Sequence, residues 1–262
     1  MSLELLLSTM NLKVADLDNM NIHTPCIVIN QCGKVGYKEY KNFRIYDTDD
    51  IGISRSRNMA IAKSKADILL FCDNDCVYND DYYETILNFY KEHEDADMVF
   101  FNMSIYDNSI KPDTKVKRVF WYNYQRYAAY RISFRRESVF SKNINLCSLF
   151  GGNSMYSHGE DTIFIRDFLK DNMRLYASSD YIGKVIDNDY ESTWFRGYDD
   201  KFFFDKGALF CALSPHFKYL QCTLYVLRHK EVRVGRSFTS VLFIMFKGVR
   251  AYGKNIGYSA NI

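Results

Sequence analysis

The chain has 262 residues, of which 47% are hydrophobic and 25% charged, and its formal net charge is +2. This composition predicts a folded globular protein with one substantial core and excludes a disordered chain. Residues 201–262 hold ten Lys and Arg but two Asp and Glu, so the C-terminal stretch is basic and the rest is mildly acidic.

The cysteines and the apolar runs indicate in which cellular compartment the protein is located. Seven cysteines without regular spacing favour free thiols in an intracellular protein over a disulfide framework. A zinc site at Cys72 and Cys76 is not favoured, because no second cysteine pair or histidine accompanies them. Leu5-Leu6-Leu7 is too short for a signal core, and no apolar run reaches the roughly 18 residues of a membrane-spanning helix. We therefore expect a cytoplasmic protein, soluble or peripheral on the inner face of the plasma membrane.

Short apolar segments alternate with helical patterns along the first half of the chain. The predicted strands cover residues 5–7, 26–30, 43–47, 68–72 and 97–106, and the predicted helices begin at about Ser54 and Asp80. Short, continuous apolar strands are typical of a sheet that is covered on both faces. The pattern therefore predicts a doubly wound α/β unit.

Polar residues stand at the ends of three of these strands: Thr9, Asn30-Gln31 and Asp73-Asn74-Asp75. In open α/β sheets, ligands bind outside the carboxyl ends of the strands. We therefore expect these side chains to lie along one crevice.

Asp73 and Asp75 follow an apolar strand and are one residue apart. Two such carboxylates can reach a divalent cation bound to a diphosphate, because Mg²⁺ and Mn²⁺ prefer hard oxygen ligands. The cation would neutralise a phosphate leaving group as charge develops on it. The alternative is that Asp73 and Asn74 form an Asx turn ahead of the following helix.

A second carboxylate pair lies in "GGNSMYSHGEDTIFIRDFLK", where Glu160 and Asp161 precede a run with apolar residues at helical spacing. One interpretation is an acidic N-cap. The other is a general base that removes a proton from an attacking hydroxyl.

The strings "STMN", "GISRSRNMAI", "FCDND" and "GEDTIF", in this order, resemble glycosyltransferase family 2, the inverting nucleotide-sugar transferases of GT-A fold. The strings "INQCG", "FRRES" and "STWFRGYDDKFFFDKGALF" resemble its bacterial branch that builds surface polysaccharides. The resemblance runs from residue 5 to about 195. It implies an α/β GT-A mixed sheet flanked by helices in residues 1–204, with a nucleotide-sugar half at about 1–110 and an acceptor half at about 111–204. A basic, aromatic, helical C-terminal extension would occupy 205–262.

The resemblance also implies which residues contact the donor. Thr9 and either Asn30 or Gln31 would contact uracil and ribose, although the family usually has an aspartate at the end of the second strand. Arg57 and Asn58 match the family's Ala-Arg-Asn helix start, and a helix N-terminus with an arginine is suited to an anion.

For the cation, Asp73 and Asp75 match the family's D-x-D motif. Asp75 would bind Mn²⁺ or Mg²⁺ directly, and Asp73 would contact the ribose or the same metal. The histidine that often completes the metal site in this family has no counterpart in "VIDNDYESTWF". Asp187 or Asp189 could substitute, or the diphosphate and water could complete the shell.

For the chemistry, Asp161 matches the family's catalytic base and Glu160 would support it. The implied reaction is a single in-line displacement: the acceptor hydroxyl attacks the anomeric carbon while the nucleoside diphosphate leaves. Trp194 and His158 are candidate acceptor contacts, because sugars stack on aromatic faces. The alternatives are a Trp packed at the sheet edge and a histidine in a surface loop.

The basic tail has two interpretations: helices lying in a membrane interface near a lipid-linked glycan acceptor, or helices packing on the catalytic domain or on a second subunit of a homodimer. Nucleic acid is not an expected partner. Two other functions compete with sugar transfer: a haloacid-dehalogenase-like phosphohydrolase, whose D-x-D normally lies on the first strand, and an inactive module that binds sugars or a partner.

Overall fold

The computed structural model describes residues 1–105, 111–186 and 197–254. The strands are β1 (Leu3–Met10), β2 (Cys26–Gln31), β3 (Gly36–Tyr40), β4 (Phe43–Thr48), β5 (Ile68–Cys72), β6 (Cys76–Tyr78), β7 (Met98–Ile105), β8 (Lys117–Val119), β9 (Ile132–Arg135) and β10 (Leu175–Val185). The helices are α1 (Ile53–Lys63), α2 (Tyr82–Glu92), α3 (Arg136–Lys142), α4 (Glu160–Lys170), α5 (Asp200–Leu213), α6 (Lys218–Arg228) and α7 (Phe238–Tyr252).

The strands form one mixed sheet in the order β3-β4-β2-β1-β5-β9-β7-β10-β6, with β8 paired to β10. Strands β4, β2, β1 and β5 are parallel neighbours, whereas β3 and β9 run antiparallel to the strands they pair with. Thr9 is in register with Asn30, and Asn30 with Asp47. The carboxyl ends of β1, β2 and β5, where the sequence predicted polar residues along one crevice, therefore lie at one edge of the sheet, together with that of β4.

The described residues pack into two compact units. The first contains the sheet and comprises residues 1–51, 55–146 and 164–186. It has two apolar clusters, and successive residues of a strand alternate between them: Leu5 and Leu7 belong to one, and Leu6 to the other. The strands are thus buried on both faces, which explains why their sequences are continuous apolar runs.

The second unit comprises residues 52–54, 147–163 and 197–254 and is mainly helical. Its core is aromatic and aliphatic and includes Phe203 and Met245. Helices α5 and α7 approach closely where two glycines face the opposite backbone: a Cβ built on Gly207 would lie 1.9 Å from the carbonyl oxygen of Met245, and one on Gly248 would lie 1.9 Å from that of Phe204. Only glycine fits at these two positions.

The predicted strands and helices are confirmed, with β5 matching in its bounds and α2 beginning two residues after Asp80. The alternative of an Asx turn ahead of a helix at Asp73 and Asn74 was wrong about the next element, because these residues lead into strand β6. The predicted boundary between residues 204 and 205 falls inside α5, while the division into catalytic domain and extension stays a prediction. Each helix in the described parts of the chain is too short or too polar to span a bilayer.

Candidate active site

The ends of β1, β2 and β4 carry a buried polar group in the first unit. Thr9, Asn30 and Asp47 are each less than a tenth exposed. Asn30 accepts a hydrogen bond from the Leu12 backbone N–H at 2.9 Å and donates its side-chain N–H to Asp47 Oδ1 at 2.5 Å. Gln31 is also buried, in register with Met10.

Asp47 was not singled out from the sequence. Asn30 and Gln31 stand at the end of β2, where the resemblance implies an aspartate, and Asp47 supplies a carboxylate beside Asn30 from the neighbouring strand. A sequence signal existed, because Asp47 is the last residue of a predicted strand and Asp73 directly follows another. Only the register of β2 and β4 shows that the two side chains meet.

Asp73 and Asp75 occupy the turn between β5 and β6. The Cys76 N–H donates to the Asp73 carbonyl at 3.2 Å, and the Ile186 N–H donates to the Asp75 carbonyl at 2.8 Å. Burial, and secondly the charge of Asp73, raise the pKa of Asp75 to about 6. The Asp75 carboxylate is therefore in a place where negative charge is poorly solvated, and a cation would relieve the repulsion.

Arg57 and Asn58 lie on α1 in the same unit and are both engaged. The buried Arg57 guanidinium is 2.9 Å from Asp73 Oδ1 and lies over the ring of Phe71. The Asn58 amide donates to the Leu146 carbonyl and accepts from the Leu146 N–H, each at 2.9 Å. Arg57 thus orients one carboxylate of the Asp73-Asn74-Asp75 turn, and Asn58 fixes the backbone of Leu146. Their contacts with a nucleotide stay predictions.

Glu160 and Asp161 are the first two residues of α4, so both carboxylates lie in its first turn and neither is the residue before the helix. Asp161 Oδ1 accepts from the Thr162 N–H at 2.6 Å. The loop that leads to them is fixed by Gly159, whose φ is +107° and whose Cβ, if present, would lie 2.6 Å from Leu209 Cδ1. The helix dipole favours ionised carboxylates at this end.

One face of α5 packs on this loop in the second unit. Phe202, Lys206 and Leu209 are spaced by four and three residues and so share a face of the helix. His158 stacks on Phe202 with ring centroids 5.1 Å apart, and Leu209 contacts Gly159. Lys206 stands between these two contacts, beside the residues that begin α4.

Lys206 was also missed by the sequence analysis, because only the packing of α5 shows its surroundings. Its ammonium lies 5.7 Å from the ring of Phe202 and 5.5 Å from that of Tyr225. Burial lowers the pKa of Lys206 to about 8, although the charge of Asp161 opposes this. Lys206 is a partly buried cation beside two aromatic rings, and the charge of Asp161 stabilises it.

His158 is buried, so the surface-loop alternative was wrong. Burial, and then the charges of Lys206 and Lys201, hold the pKa of His158 well below its usual range. Lys201 itself is paired with the buried Asp205 at 2.5 Å. Asp205 also accepts from the Ser157 N–H and hydroxyl, at 2.8 and 2.7 Å. This network fixes the start of the loop. Whether His158 contacts an acceptor stays a prediction.

Comparison with known proteins decides the family. The profile of the family described as "Glycosyl transferase family 2" matches residues 30–161. The chain belongs to glycosyltransferase family 2. The matched segment runs from Asn30 through Asp73 and Asp75 to Asp161, so the family that the resemblance indicated is confirmed. A phosphohydrolase is thereby set aside. No curated protein matches the chain.

Solved structures similar to this glycosyltransferase agree on the fold. S. aureus TarS 1-349 in complex with UDP-GlcNAc is 13% identical, with a TM-score of 0.63, over 99% of this chain and 93% of that one. The same TarS segment in complex with UDP is 14% identical, with a TM-score of 0.59 and the same coverage. A longer TarS structure matches at 12% identity and a TM-score of 0.58, over 97% of this chain and 55% of that one. This glycosyltransferase has the GT-A fold, as predicted.

A divalent cation fits part of this site. Asp73 and Asp75 offer hard oxygen donors on one turn, and the raised pKa of Asp75 shows that a positive charge would be stabilised there. Nowhere in residues 1–105, 111–186 and 197–254 do three His, Cys, Asp or Glu side chains group so as to hold a metal. The protein would thus supply two carboxylates in this part of the chain. Trp194, Asp187 and Asp189 lie outside the described residues.

Proposed function

We propose that this glycosyltransferase moves a sugar from a UDP-sugar, with inversion, to a hydroxyl of a glycan or lipid-linked glycan in surface polysaccharide synthesis. The observation that carries the proposal is the Asp73-Asn74-Asp75 turn at the carboxyl end of β5, whose neighbour β1 ends at the buried Thr9, Asn30 and Asp47 group. The TarS structures of the same fold contain UDP and UDP-GlcNAc, which supports a uridine nucleotide.

The nucleoside is assigned to the ends of β1, β2 and β4. Thr9, Asn30 and Gln31 would contact uracil and ribose. Asp47 contributes a carboxylate acceptor, which suits an N–H of the base and takes the part of the aspartate that the family usually has on β2. Asn30 already donates to Asp47 at 2.5 Å, so the amide fixes the direction in which the carboxylate faces.

The diphosphate is assigned to the turn after β5. Asp75 would hold Mn²⁺ or Mg²⁺, and Asp73, oriented by Arg57 at 2.9 Å, would share the metal or contact the ribose. Such a cation, when bound, neutralises the negative charge that develops on the leaving diphosphate. Asp75 contributes a carboxylate that is poorly solvated before the cation arrives, which strengthens its attraction for positive charge.

Proton transfer is assigned to Asp161, with Glu160 beside it. Asp161 would accept the proton of the acceptor hydroxyl, whose oxygen forms a bond to the anomeric carbon as the bond from that carbon to the diphosphate breaks. A single displacement of this kind inverts the configuration. Asp161 lies in the first turn of α4, where the helix dipole favours negative charge. His158 and Trp194 are the proposed acceptor contacts.

Calorimetric titration of UDP tests the donor site. We expect binding in Mn²⁺ that is lost in EDTA and lost in Asp75→Ala. Asp171→Ala is the matched control, because Asp171 is an exposed aspartate just after the end of α4 in the same unit. Equal binding with and without metal, or unchanged binding by Asp75→Ala, would contradict the proposal.

A donor screen with Mn²⁺ then tests transfer itself. Release of UDP from one donor in the presence of a glycan or lipid-linked acceptor would support the proposed reaction. Nucleotide binding without turnover of any donor would favour the inactive binding module. The location that fits the proposal is the cytoplasmic face of a membrane that carries the acceptor.

A further inference from the structure

Helix α6 exposes large apolar side chains on one face. Phe217, Leu220, Leu224 and Leu227 are 64%, 54%, 37% and 51% exposed, and their spacing of three, four and three residues places them in one row. We call this row the α6 stripe. Cys222 and Val226, on the opposite face of the helix, are fully buried.

The α6 stripe differs from the solvent-facing side of an ordinary surface helix, which is polar. A surface helix packs its apolar face on the core and turns polar residues outward. Helix α6 instead packs Cys222, Val226 and the partly buried Tyr225 on the core, and it leaves three leucines and its N-cap phenylalanine in solvent. A contiguous exposed apolar patch of this kind marks a surface that is covered in function.

The surroundings of the stripe are strongly basic. Residues 214–254 contain eight Lys and Arg, and Glu231 is their one acidic residue. Lys218 and Arg228 are the first and last residues of α6, and exposed Lys230 follows. Arg236 is paired with Asp200 at 2.6 Å, which leaves the basic excess almost unchanged. The partner must therefore combine an apolar layer with negative charge.

We propose that the α6 stripe and the cations beside it dock this glycosyltransferase on an anionic lipid bilayer, with α6 lying in the plane of the interface. An amphipathic helix of this type buries its apolar side chains at the level of the headgroups and acyl chains, while Lys and Arg pair with anionic headgroups.

Charge decides between a membrane and a second copy of the chain. A two-fold dimer through the stripe would place the same patch on both sides of the interface and bring Lys218, Arg228 and Lys230 towards their own copies. Like charges across an interface are unfavourable, and Glu231 alone cannot compensate for them. Anionic headgroups complement the same patch. The proposal deepens the proposed function, since it holds the enzyme at a lipid-linked acceptor, but its test needs no donor or acceptor.

The test is co-sedimentation of the full chain with vesicles of phosphatidylcholine alone or of phosphatidylcholine with phosphatidylglycerol. We expect at least tenfold tighter binding to the anionic vesicles, weakened by added salt. The stripe variant L220Q/L224Q/L227Q and the charge variant R228E/K230E should each lose at least tenfold. The matched control V35Q/V116Q/Y122Q removes three exposed apolar side chains from the first unit and should bind as wild type.

Three outcomes would overturn the proposal: equal binding to both vesicle types, wild-type binding by both the stripe and charge variants, or a dimer in analytical ultracentrifugation that the stripe variant dissociates while no vesicle is bound. Circular dichroism and UDP titration of each variant show whether it is folded. Normal UDP binding without vesicle binding would refute the membrane surface and leave the proposed reaction standing. Vesicle binding without UDP binding would support the membrane surface and count against the proposed reaction.

Discussion

The two carboxylate pairs of this glycosyltransferase have different surroundings. Asp73 and Asp75 lie on a turn at the end of a buried strand, where one is paired with Arg57 and the other is left in a poorly solvated place. Glu160 and Asp161 open helix α4, next to the face of α5 that carries Lys206. In the first pair, the negative charge of Asp75 is poorly solvated. The second lies beside positive charge, from the helix end and from a lysine.

This difference agrees with the two roles that the sequence analysis gave to the pairs. A poorly solvated carboxylate such as Asp75 is suited to hold a cation. Asp161 lies in the first turn of a helix, where the dipole favours negative charge, and we propose that it accepts the proton of a hydroxyl. Each of the two roles can be tested by substitutions that leave the shape of the side chain nearly unchanged.

The largest expected effect is on the rate of transfer. Asp161→Asn keeps the size of the side chain but cannot accept the proton, so turnover should fall by about 10²–10⁴-fold. UDP binding should be unchanged, because Asp161 is not among the residues proposed to contact the nucleotide. Initial rates and UDP titration measure the two quantities, with Asp171→Asn as control. Turnover near that of wild type would move the base elsewhere.

The next effect is on the stability of the second unit. Gly207→Ala places a methyl group 1.9 Å from the Met245 carbonyl oxygen, and forcing α5 and α7 apart should cost about 3 kcal/mol or more. Gly248→Ala should behave alike. Gly253→Ala is the control, because the nearest atom to its Cβ is 3.8 Å away. Thermal unfolding measures the loss, and hydrogen exchange should show it first in α5 and α7.

In metal-free buffer, Asp75→Asn should stabilise the protein. The pKa of Asp75 is raised from 3.8 to about 6, so folding disfavours the charged form and wild-type stability falls as pH rises from about 4 to about 6. After allowance for solvent screening, the variant should be more stable by about 1–2 kcal/mol at pH 7 and by almost nothing at pH 4. Urea unfolding at both pH values measures this.

Asp73→Asn supplies the contrast. It removes the ion pair with the buried Arg57 and should destabilise the protein at pH 7, so adjacent carboxylates give effects of opposite sign. Effects of the same sign would mean that Asp75 is better solvated than its position indicates, and the comparison between the two pairs would weaken.

The smallest expected effect comes from Lys206→Met. The pKa of Lys206 is lowered from 10.5 to about 8, so the penalty for its charge is full below pH 8 and disappears as pH rises to about 10.5. The variant should gain about 1 kcal/mol at pH 7, once the lost contacts with two aromatic rings are subtracted, and nothing at pH 10.5. Lys201→Met should instead destabilise, because it leaves Asp205 buried without its cation. Urea unfolding of wild type and both variants at pH 7 and pH 10.5 measures these differences in stability.

Sequence reasoning located the family and five of the ten strands in the described residues, and it missed β3, β6, β8, β9 and β10. Strand β5 and the turn after it were visible as an apolar run that ends in aspartates, and α4 as apolar residues at helical spacing after Glu160 and Asp161. These features are local, since burial of a strand or one face of a helix leaves its period in the sequence. The motifs between Asn30 and Asp161 carried the family for the same reason.

The tertiary structure decided which side chains meet. Asp47 lies beside Asn30 because β4 pairs with β2 in register, and Arg57 engages Asp73 across sixteen residues of sequence. Lys206 comes near Asp161 because α5 packs on the loop at His158 and Gly159. In sequence, the α6 stripe looks like the apolar face of a helix that packs on the core. Only the burial of Cys222 and Val226 shows that the stripe is the face exposed to solvent. The period of each element is a local property of the sequence, whereas pairing, burial and charge depend on contacts between residues that are far apart in the chain.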